Sequence, residues 1–599
     1  MKSPMPLLQR ITQQLGDRCG TSTNHDWETI MSRVNTEGLS FVTITLPDFC
    51  KDFEEALEIG YVGSHHFRSF RKWRRLPAFL RGFVSQVFNP DTGVLHQDPS
   101  VLCIQAVRQI CLVMAKINLP CSEERERKAY EGYLNAEKEL READQRRSRG
   151  SLDDFARISR MLWSDLYCSI DSNIYAGKII PKHGPGSTAS GLKGNAKFSN
   201  RKWTYRLENV FPFIENGFAS WSQWQDLPQV RWLRPWEEEP VKVISVPKTL
   251  KTPRIIAMEP VYMQYVQQGI LEQIEKGYRD FIVPNSFVNH VDTQHVNQEL
   301  ARQGSIDGSL ATLDLSEASD RVSNQLVREM LSPHRWLFEA VDACRSRTAE
   351  LPQFGKVKLA KFASMGSALT FPFEAMVFCT LIFMGIERDV GHRLSRKEIL
   401  SYRGKVRVYG DDIVVPVEHV PTVIDLLESN GLKVNRRKSF WNGKFRESCG
   451  KEYYSGTDVS IVRCRSMLPS SRKDTSELVS TVSFMNRLYS AGLDEAADYL
   501  KRELSKLIRL PRVSSTSQAL GVVVDFDFDI ERYNPHLQRG ETRAWVVDAK
   551  LPINRIDGYD ALLKVFLKRS SRPFEDPRHL EVSGRPVALR IKQRWILAS

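Results

Sequence analysis

The stretch KVRVYGDDIVVP, residues 405–416, sets two adjacent carboxylates between two short runs of strand-forming residues. The β-branched residues on either side predict two strands, and Gly410 permits a tight turn that presents Asp411 and Asp412 at its tip. Carboxylates held side by side repel each other, and a bound divalent cation would compensate for that repulsion. We therefore predict a β-hairpin whose tip forms part of a metal site.

A second acidic element lies upstream, in SLATLDLSEASD at residues 309–320. It predicts a short apolar strand that carries Asp314 near its end, with Asp320 on the turn or helix that follows. If this strand and the hairpin are neighbours in one sheet, Asp314 and Asp411 come together. Oxygen ligands without His or Cys select Mg²⁺ or Mn²⁺ over zinc, and two such ions would support nucleotidyl transfer to a 3′-hydroxyl. A Gly-Asp turn alone is more often structural, so this interpretation depends on Asp314.

A third element, VKVISVPKTLKTPRII at residues 241–256, alternates like two strands around a turn rich in Pro, Lys and Thr. It concentrates Lys248, Lys251 and Arg254 near one hairpin tip. Because three neighbouring cations repel each other, a triphosphate or a phosphate backbone is the expected partner. The alternative is a solvated charged surface.

The composition favours a polyanionic partner. The chain has 599 residues, of which 85 are Lys or Arg and 72 are Asp or Glu, giving a net charge of +13. A chain of this length predicts two or three packed subdomains, and the excess of positive charge favours nucleic acid over an anionic membrane.

Membrane insertion and secretion are not expected. The longest apolar run, AMVFCTLIFMG at residues 375–385, is shorter than the roughly 18–20 residues of a spanning helix and predicts a buried helix. The N-terminal residues lack the continuous apolar core of a secretion signal. The 10 cysteines form neither a CxxC pair nor a Cys/His cluster, which favours a reducing, cytosolic setting.

Residues 122–150 alternate acidic and basic side chains among good helix formers. The pattern predicts a solvated helix, with a binding surface as the less favoured alternative.

Four segments together resemble a known family. The segments LATLDLSEASDRVS (310–323), SMGSALTFPFEAMVF (364–378), VYGDDIVVP (408–416) and NRRKSFWNGKFRESCGKEYYSGTDV (435–459) are similar to consecutive motifs of the RNA-directed RNA polymerase, or replicase, of the single-stranded RNA bacteriophages, the leviviruses. The run VPKTLKTPRIIAMEP (246–260) resembles the preceding nucleotide-binding motif of that family. The resemblance covers about residues 243–460, in the order of the family.

The resemblance implies an α+β, right-hand polymerase with fingers, palm and thumb, and with an antiparallel sheet in the palm. It implies an N-terminal and fingers region at residues 1–240, a catalytic palm with finger strands at 241–460, and a thumb with a C-terminal extension at 461–599. A basic tail, LKRSSRPFEDPRHLEVSGRPVALRIKQRW at residues 567–595, is expected to contact the exiting duplex.

The resemblance also assigns roles to site residues. The carboxylates that match the metal-binding and catalytic positions of the palm are Asp314, Asp411 and Asp412. The cations that match the finger strand receiving the nucleoside triphosphate are Lys248, Lys251 and Arg254.

Selection of ribose is assigned less completely. In related polymerases a second aspartate, here Asp320, pairs with a Ser and an Asn of the next motif to sense the 2′-hydroxyl. Ser364 and Gly366 match that motif, but Ser367 stands where coliphage replicases carry Asn. A serine still donates and accepts a hydrogen bond, with a shorter reach. Whether Ser367 or Thr370 completes the selection, or packs in the interior, stays open.

Lys438 matches the region where related polymerases place a lysine proposed to protonate the leaving pyrophosphate. General-acid catalysis of this kind contributes about 10²–10⁴ in rate. Arg437 is its immediate competitor, and a purely electrostatic role is the alternative.

The implied function is RNA-directed RNA synthesis that replicates a single-stranded phage RNA genome, without a primer, in the cytoplasm of the infected bacterium. The implied partners are single-stranded template RNA, product RNA, nucleoside triphosphates, the host elongation factors Tu and Ts and a ribosomal protein, with no membrane. Two other enzyme classes, reverse transcriptases and the polymerases of capsid-less mitochondrial and fungal RNA viruses, share the palm chemistry. A basic, non-catalytic RNA-binding protein is the alternative of a different class.

Overall fold

The computed structural model describes residues 3–551, 553–568 and 588–598. Helices and short strands are mixed along the chain, which confirms the predicted α+β class. The α-helices are α1 Met5–Arg18, α2 Asn24–Glu37, α3 Leu46–Ile59, α4 Arg81–Val84, α5 Val101–Leu112, α6 Glu123–Arg146, α7 Arg149–Tyr175, α8 Tyr205–Glu208, α9 Phe213–Asn216, α10 Val261–Asp280, α11 Ile282–Phe287, α12 Gln294–Asp307, α13 Asn324–Leu331, α14 Arg335–Cys344, α15 Thr370–Val390, α16 Arg396–Ser401, α17 Val420–Ser429, α18 Thr475–Ser490, α19 Asp494–Ser505 and α20 Gly558–Leu567.

The strands form seven small sheets in the described residues. They are β1 Lys72–Trp73, β2 Leu76–Pro77, β3 Lys202–Thr204, β4 Arg231–Leu233, β5 Val241–Val246, β6 Arg254–Met258, β7 Leu310–Asp314, β8 Thr348–Leu351, β9 Gly355–Lys358, β10 Arg407–Tyr409, β11 Asp412–Pro416, β12 Phe445–Ser448, β13 Lys451–Tyr454, β14 Thr457–Asp458, β15 Arg512–Val513, β16 Val522–Val523, β17 Arg532–Asn534, β18 Arg539–Lys550 and β19 Ala588–Leu597.

Two sheets position the acidic and basic motifs. The first is antiparallel in the order β10-β11-β7, and its register aligns Asp412 with Asp314. This confirms the prediction that the hairpin and the upstream strand are neighbours. The second sheet has the order β6-β5-β8-β9, and its β5–β6 pair is the predicted hairpin around the basic turn.

A central core, formed by buried residues between Leu152 and Val434, surrounds helix α15. This helix has 21 residues and contains an 18-residue window that by length and composition could cross a membrane, but 89% of that window is buried inside the protein. The predicted buried segment 375–385 is therefore the middle of a longer helix. Its apolar residues pack against α7, α17 and strand β10 of the sheet β10-β11-β7.

A terminal core joins the two ends of the motif region. It contains buried residues between Met5 and Ile117 together with residues between Phe440 and Val522. The first hundred residues are thus packed against segments several hundred positions later in the chain. The division at residues 240 and 460 stays a prediction, and both cores draw on residues from more than one of its parts.

Helix α3 carries a line of acids at helical spacing, which we call its acidic edge. These acids are Asp48, Asp52, Glu55 and Glu58. The edge contacts two distant segments, the basic turn before β6 and residues 437–443. Because the spacing of 3–4 residues places all four acids on one side of the helix, α3 ties these two segments together.

Helix α6 forms most of the predicted charged segment 122–150, and it is solvated on one side only. Tyr130, Tyr133, Glu137 and Leu140 are buried on its other face. The helix prediction is confirmed, and solvation applies to one face of the helix, because apolar residues recur every three or four positions on the other.

A buried charge cluster locks the terminal core. Arg108 is 1% exposed, and it lies 2.8 Å from Glu54 of α3 and 2.7 Å from Glu452 of β13. We expect Arg108→Met to lower the free energy of unfolding by about 3–5 kcal/mol, because the carboxylate of Glu54 would stay buried without its cation. Urea-induced unfolding measures the change.

The matched control is Arg127→Met. Arg127 pairs with Glu131 at 3.0 Å on the exposed face of α6, where such a pair contributes at most about 1 kcal/mol. Equal small changes for both variants would contradict the role of Arg108.

Candidate active site

The acidic turn is a two-residue connection between β10 and β11. Tyr409 and Asp412 are paired in register, so Gly410 and Asp411 form the turn between them. Gly410 has a φ of +61°, and a Cβ there would lie 2.5 Å from the ring of Phe371. Glycine is therefore required both by the backbone conformation and by the packing.

Asp314, at the end of β7, is held by the segment that precedes β12. Its Oδ2 accepts a hydrogen bond of 2.8 Å from the side-chain amide of Asn435, and its backbone N–H donates to the hydroxyl of Ser439 at 3.1 Å. The Nζ of Lys438 lies 3.9 Å from its Oδ1. The hydrogen bonds with Asn435 and Ser439 thus fix the carboxylate of Asp314 at the end of β7.

Burial and mutual repulsion make this acidic group unfavourable by itself. Burial, and then the charge of Asp411, raises the pKa of Asp412 to about 7. The pKa of Asp314 is also raised by burial, and Asp411 repels it further. Asp314 and Asp412 on paired strands, with Asp411 on the adjoining turn, offer carboxylate oxygens, a donor type that suits a hard divalent cation.

One of the three predicted finger cations, Lys248, lies near this group. The pKa of Lys248 is lowered by partial burial and then by Arg254 and Lys438, while Asp411 and Asp314 attract its charge. Lys251 instead binds Asp48 on the acidic edge, with Nζ at 3.0 and 3.1 Å from the two carboxylate oxygens. The structure therefore places Lys248 beside the aspartates and holds Lys251 away from them.

Lys438 and its neighbour Arg437 point to different partners. The carboxylate of Glu447, and then Asp314, raise the pKa of Lys438 above its ordinary range. Arg437 pairs with Asp52 and lies 3.4 Å from Glu55, both on α3. Of these two neighbours, Lys438 lies against Asp314 and Arg437 is bound to α3, and the catalytic role of Lys438 stays a prediction.

The predicted ribose residues are not all brought together. Asp320, on the turn after β7, lies 3.0 Å from the Nζ of Lys361. The hydroxyl of Ser364 shares a hydrogen bond of 2.7 Å with the hydroxyl of Tyr133. Ser367 donates to the side-chain oxygen of Gln267 at 3.1 Å. Thr370, which is buried, donates to the backbone oxygen of Ser364 at 2.8 Å.

Gly366 lies where this loop meets the basic hairpin. The N–H of Ala257 on β6 donates to the oxygen of Met365 at 2.8 Å. A Cβ on Gly366, whose φ is +140°, would lie 1.8 Å from the oxygen of Ala257. The glycine therefore allows direct backbone contact between the loop and the strand that carries Arg254.

Several residues that shape the site were missed by the sequence reasoning. Glu374 of α15 accepts a 2.7 Å hydrogen bond from the hydroxyl of Ser319, and burial raises the pKa of Glu374 to about 8. Lys361 and Tyr133 bind Asp320 and Ser364, two of the predicted ribose residues, and Asn435 holds Asp314. The sequence offered a signal for Glu374, because it is a lone acid in an apolar helical segment. The roles of Lys361, Tyr133 and Asn435 depend on tertiary contacts, which the sequence does not indicate.

A second group of conceivable metal ligands, Glu55, His65 and His66, places one donor atom from each side chain within 4.8 Å of the others. The backbone N–H of Gly63 donates to Nδ1 of His66 at 2.9 Å, so the neutral ring carries its proton on Nε2. Neither nitrogen of His66 then offers a free lone pair, and we assign no metal to this group.

Comparison with known proteins supports the resemblance. Residues 222–490 match the family described as RNA replicase, beta-chain. The RNA-directed RNA polymerase beta chain of Enterobacteria phage GA is 38% identical over 226 residues, which are 37% of this chain and 38% of that protein. The RNA-directed RNA polymerase subunit beta of Escherichia virus Qbeta is 39% identical over 220 residues, 37% of this chain and 34% of that protein. The chain thus spans less than half the length of the curated relatives that it matches.

Solved structures give a more distant likeness. A chain described as an RdRp complex aligns with a TM-score of 0.36 and 13% identity, over 60% of this chain and 34% of that one. The RNA-dependent RNA polymerase of a human picorbirnavirus aligns with a TM-score of 0.32 and 14% identity, over 45% of this chain and 55% of that one.

The segment that matches the family contains the acidic turn, the strand β7, the basic hairpin and Lys438. Residues 222–490 of this chain are therefore similar to the RNA replicase beta-chain family, in agreement with the resemblance of its motifs.

Proposed function

We propose that the protein is an RNA-directed RNA polymerase that replicates a single-stranded RNA phage genome by nucleotidyl transfer. The observation that carries the proposal is the alignment of Asp314 with Asp412 across β7 and β11, with Asp411 on the adjoining turn and with Lys248 and Lys438 against them. A carboxylate group facing cations is the arrangement that a metal-bound triphosphate requires.

Asp314, Asp411 and Asp412 would hold Mg²⁺, for which Mn²⁺ is a substitute. When bound, the metal ions activate the 3′-hydroxyl and neutralise charge on the reacting phosphate and the leaving pyrophosphate. Their charge would also relieve the repulsion that raises the pKa of Asp412 to about 7.

The basic hairpin would hold the phosphates of the incoming nucleotide. Lys248 and Arg254 repel each other in the structure, and a polyanion between them would remove that repulsion. Lys251 would join them by exchanging Asp48 for a phosphate oxygen. The hairpin would thus orient the triphosphate towards the aspartates.

Lys438 would assist departure of the pyrophosphate. Its ammonium is held in the protonated state by Glu447 and Asp314, so it is a proton donor or a fixed positive charge beside the reacting phosphate. Arg437, bound to α3, would keep this segment in place.

The finer architecture belongs to the same proposal. The sheet β10-β11-β7 would be the palm, the basic hairpin a part of the fingers, and residues 461–599 the thumb with its extension, within the divisions predicted at 240 and 460. Residues 569–587 of the basic tail lie outside the described residues. Primer-independent initiation, template and product RNA in a cationic channel, host elongation factors Tu and Ts and a ribosomal protein as partners, and the bacterial cytoplasm as location are proposed from the resemblance.

The test is RNA synthesis by the full chain on a short single-stranded RNA with Mg²⁺ and four ribonucleoside triphosphates, with and without a bacterial extract. We expect a product complementary to the template that requires all four nucleotides. Chelation of divalent ions should stop synthesis, because the three carboxylates then lack their compensating charge, and added Mg²⁺ should restore it.

The alternative of a non-catalytic RNA-binding protein predicts a different result. Template binding without product, both with and without extract, would overturn the proposal in its favour.

A further inference from the structure

The structure contains a buried network around the predicted ribose residues, which we call the ribose network. It consists of Asp320, Lys361, Tyr133, Glu137 and Ser364. Two of these residues, Tyr133 and Glu137, come from α6 and lie outside the segment that matches the replicase family.

Lys361 is the centre of the ribose network. Its side chain is 0% exposed, and its Nζ lies 3.0 Å from Asp320, 3.4 Å from Glu137 and 3.4 Å from the centre of the Tyr133 ring. Burial alone would lower the pKa of Lys361, but the charge of Asp320 and the other neighbours raises it. The buried ammonium therefore stays charged and holds one oxygen of Asp320.

The remaining part of the Asp320 side chain reaches the solvent, since 20% of it is exposed. An aspartate with one oxygen fixed by a buried cation presents its other oxygen in a defined direction. That oxygen is an acceptor suited to a hydroxyl group of a bound nucleotide.

Tyr133 holds the second polar group. Its hydroxyl lies 2.7 Å from the hydroxyl of Ser364, and both side chains are buried. When Tyr133 donates, the hydroxyl of Ser364 keeps its own proton available. The backbone oxygen of Ser364 is already bound by Thr370, so the loop cannot turn this serine elsewhere without breaking that hydrogen bond.

We propose that Tyr133 and Lys361 are positioning residues for sugar selection, which hold Ser364 and Asp320 so that the site prefers a ribonucleotide over a 2′-deoxyribonucleotide. This inference rests on the proposed function and assigns part of its specificity to helix α6. Ser367, which binds Gln267, takes no part in it.

The test compares incorporation of a ribonucleoside triphosphate with that of its 2′-deoxy analogue by the full chain, as kcat/KM for one added nucleotide. In Tyr133→Phe we expect kcat/KM for the ribonucleotide to fall about tenfold, the effect of one lost hydrogen bond, while the value for the deoxy analogue stays constant. Tyr130→Phe is the matched control. Tyr130 lies one turn away on α6 in the same small apolar cluster, and neither value should change.

A second variant tests whether the two hydroxyl groups act as a pair. In a Ser364→Ala background, Tyr133→Phe should have no further effect on the preference for the ribonucleotide, because the hydrogen bond is already absent. Independent effects of the two substitutions would overturn the pairing.

Proportional losses for both nucleotides in Tyr133→Phe, or no loss for either, would overturn the inference. Failure of the proposed function has a different signature, since the unaltered chain would then incorporate neither nucleotide.

Discussion

Asp411→Asn is expected to abolish RNA synthesis, with a fall in turnover of at least about a thousandfold, or ~4 kcal/mol in the activation barrier. The substitution keeps the size of the side chain and removes one negative charge from the group formed with Asp314 and Asp412. A site with less negative charge holds divalent cations less tightly, so the reaction loses its main electrostatic support. Single-turnover incorporation at saturating Mg²⁺ measures the effect.

The same substitution should leave the folded state at least as stable. Asp411 raises the pKa of both Asp314 and Asp412 by repulsion, and Asn would remove that repulsion. Thermal unfolding and template binding by Asp411→Asn therefore separate lost chemistry from lost structure. Asp425→Asn, in an exposed pair with Arg388, is the matched control and should retain full activity. Normal turnover by Asp411→Asn would contradict the metal assignment.

Gly366→Ala should affect both stability and activity, with a loss of about 2–4 kcal/mol in the free energy of unfolding together with a large rise in KM for nucleotides. The new Cβ would lie 1.8 Å from the backbone oxygen of Ala257, and φ at this position is +140°. The loop must then separate from β6, which displaces Ser364 and its neighbours relative to the basic hairpin. Urea-induced unfolding and steady-state kinetics measure the two effects.

Gly150→Ala provides the comparison for this prediction. Gly150 lies in the first turn of α7, and a Cβ there would meet open space. Alanine should be neutral or slightly stabilising at this position. If Gly366→Ala and Gly150→Ala have the same free energy of unfolding and the same KM, the close contact between the loop and β6 does not contribute to stability or nucleotide binding.

The local elements could be predicted from the sequence because their signals are local. Alternating β-branched residues and Gly410 specify the acidic hairpin, and the same period identifies β5 and β6 around the basic turn. The neighbouring position of β7 followed from the acidic residues, since Asp314 has a role only beside the turn.

The contacts that position the side chains could not be predicted in the same way. The pairing of Asp320 with Lys361, and of Lys251 with Asp48, depends on how distant segments pack. A single sequence gives no measure of such distances. For Tyr133 a signal existed, because apolar residues recur along α6 every three or four positions, but the charged residues between them dominated the interpretation.

Helix α3 shows what the motifs leave out. Its acidic edge binds both the basic turn and residues 437–443, and these two segments flank the aspartates. Residues 222–490 alone would therefore lack α3, whose contacts fix the basic turn and residues 437–443. Any shortened form of the protein needs α3 to keep Lys438 and the basic hairpin in their relative positions.

The terminal core has a consequence for how the protein is made. Its N-terminal half ends at Ile117, and its other half lies between Phe440 and Val522. A ribosome adds about 5–20 residues per second, so the nascent chain waits roughly 16–65 seconds between the end of the first half and the start of the second. During that interval the first helices expose apolar surface that α19 later covers, and exposed surface of this kind promotes aggregation of a newborn chain.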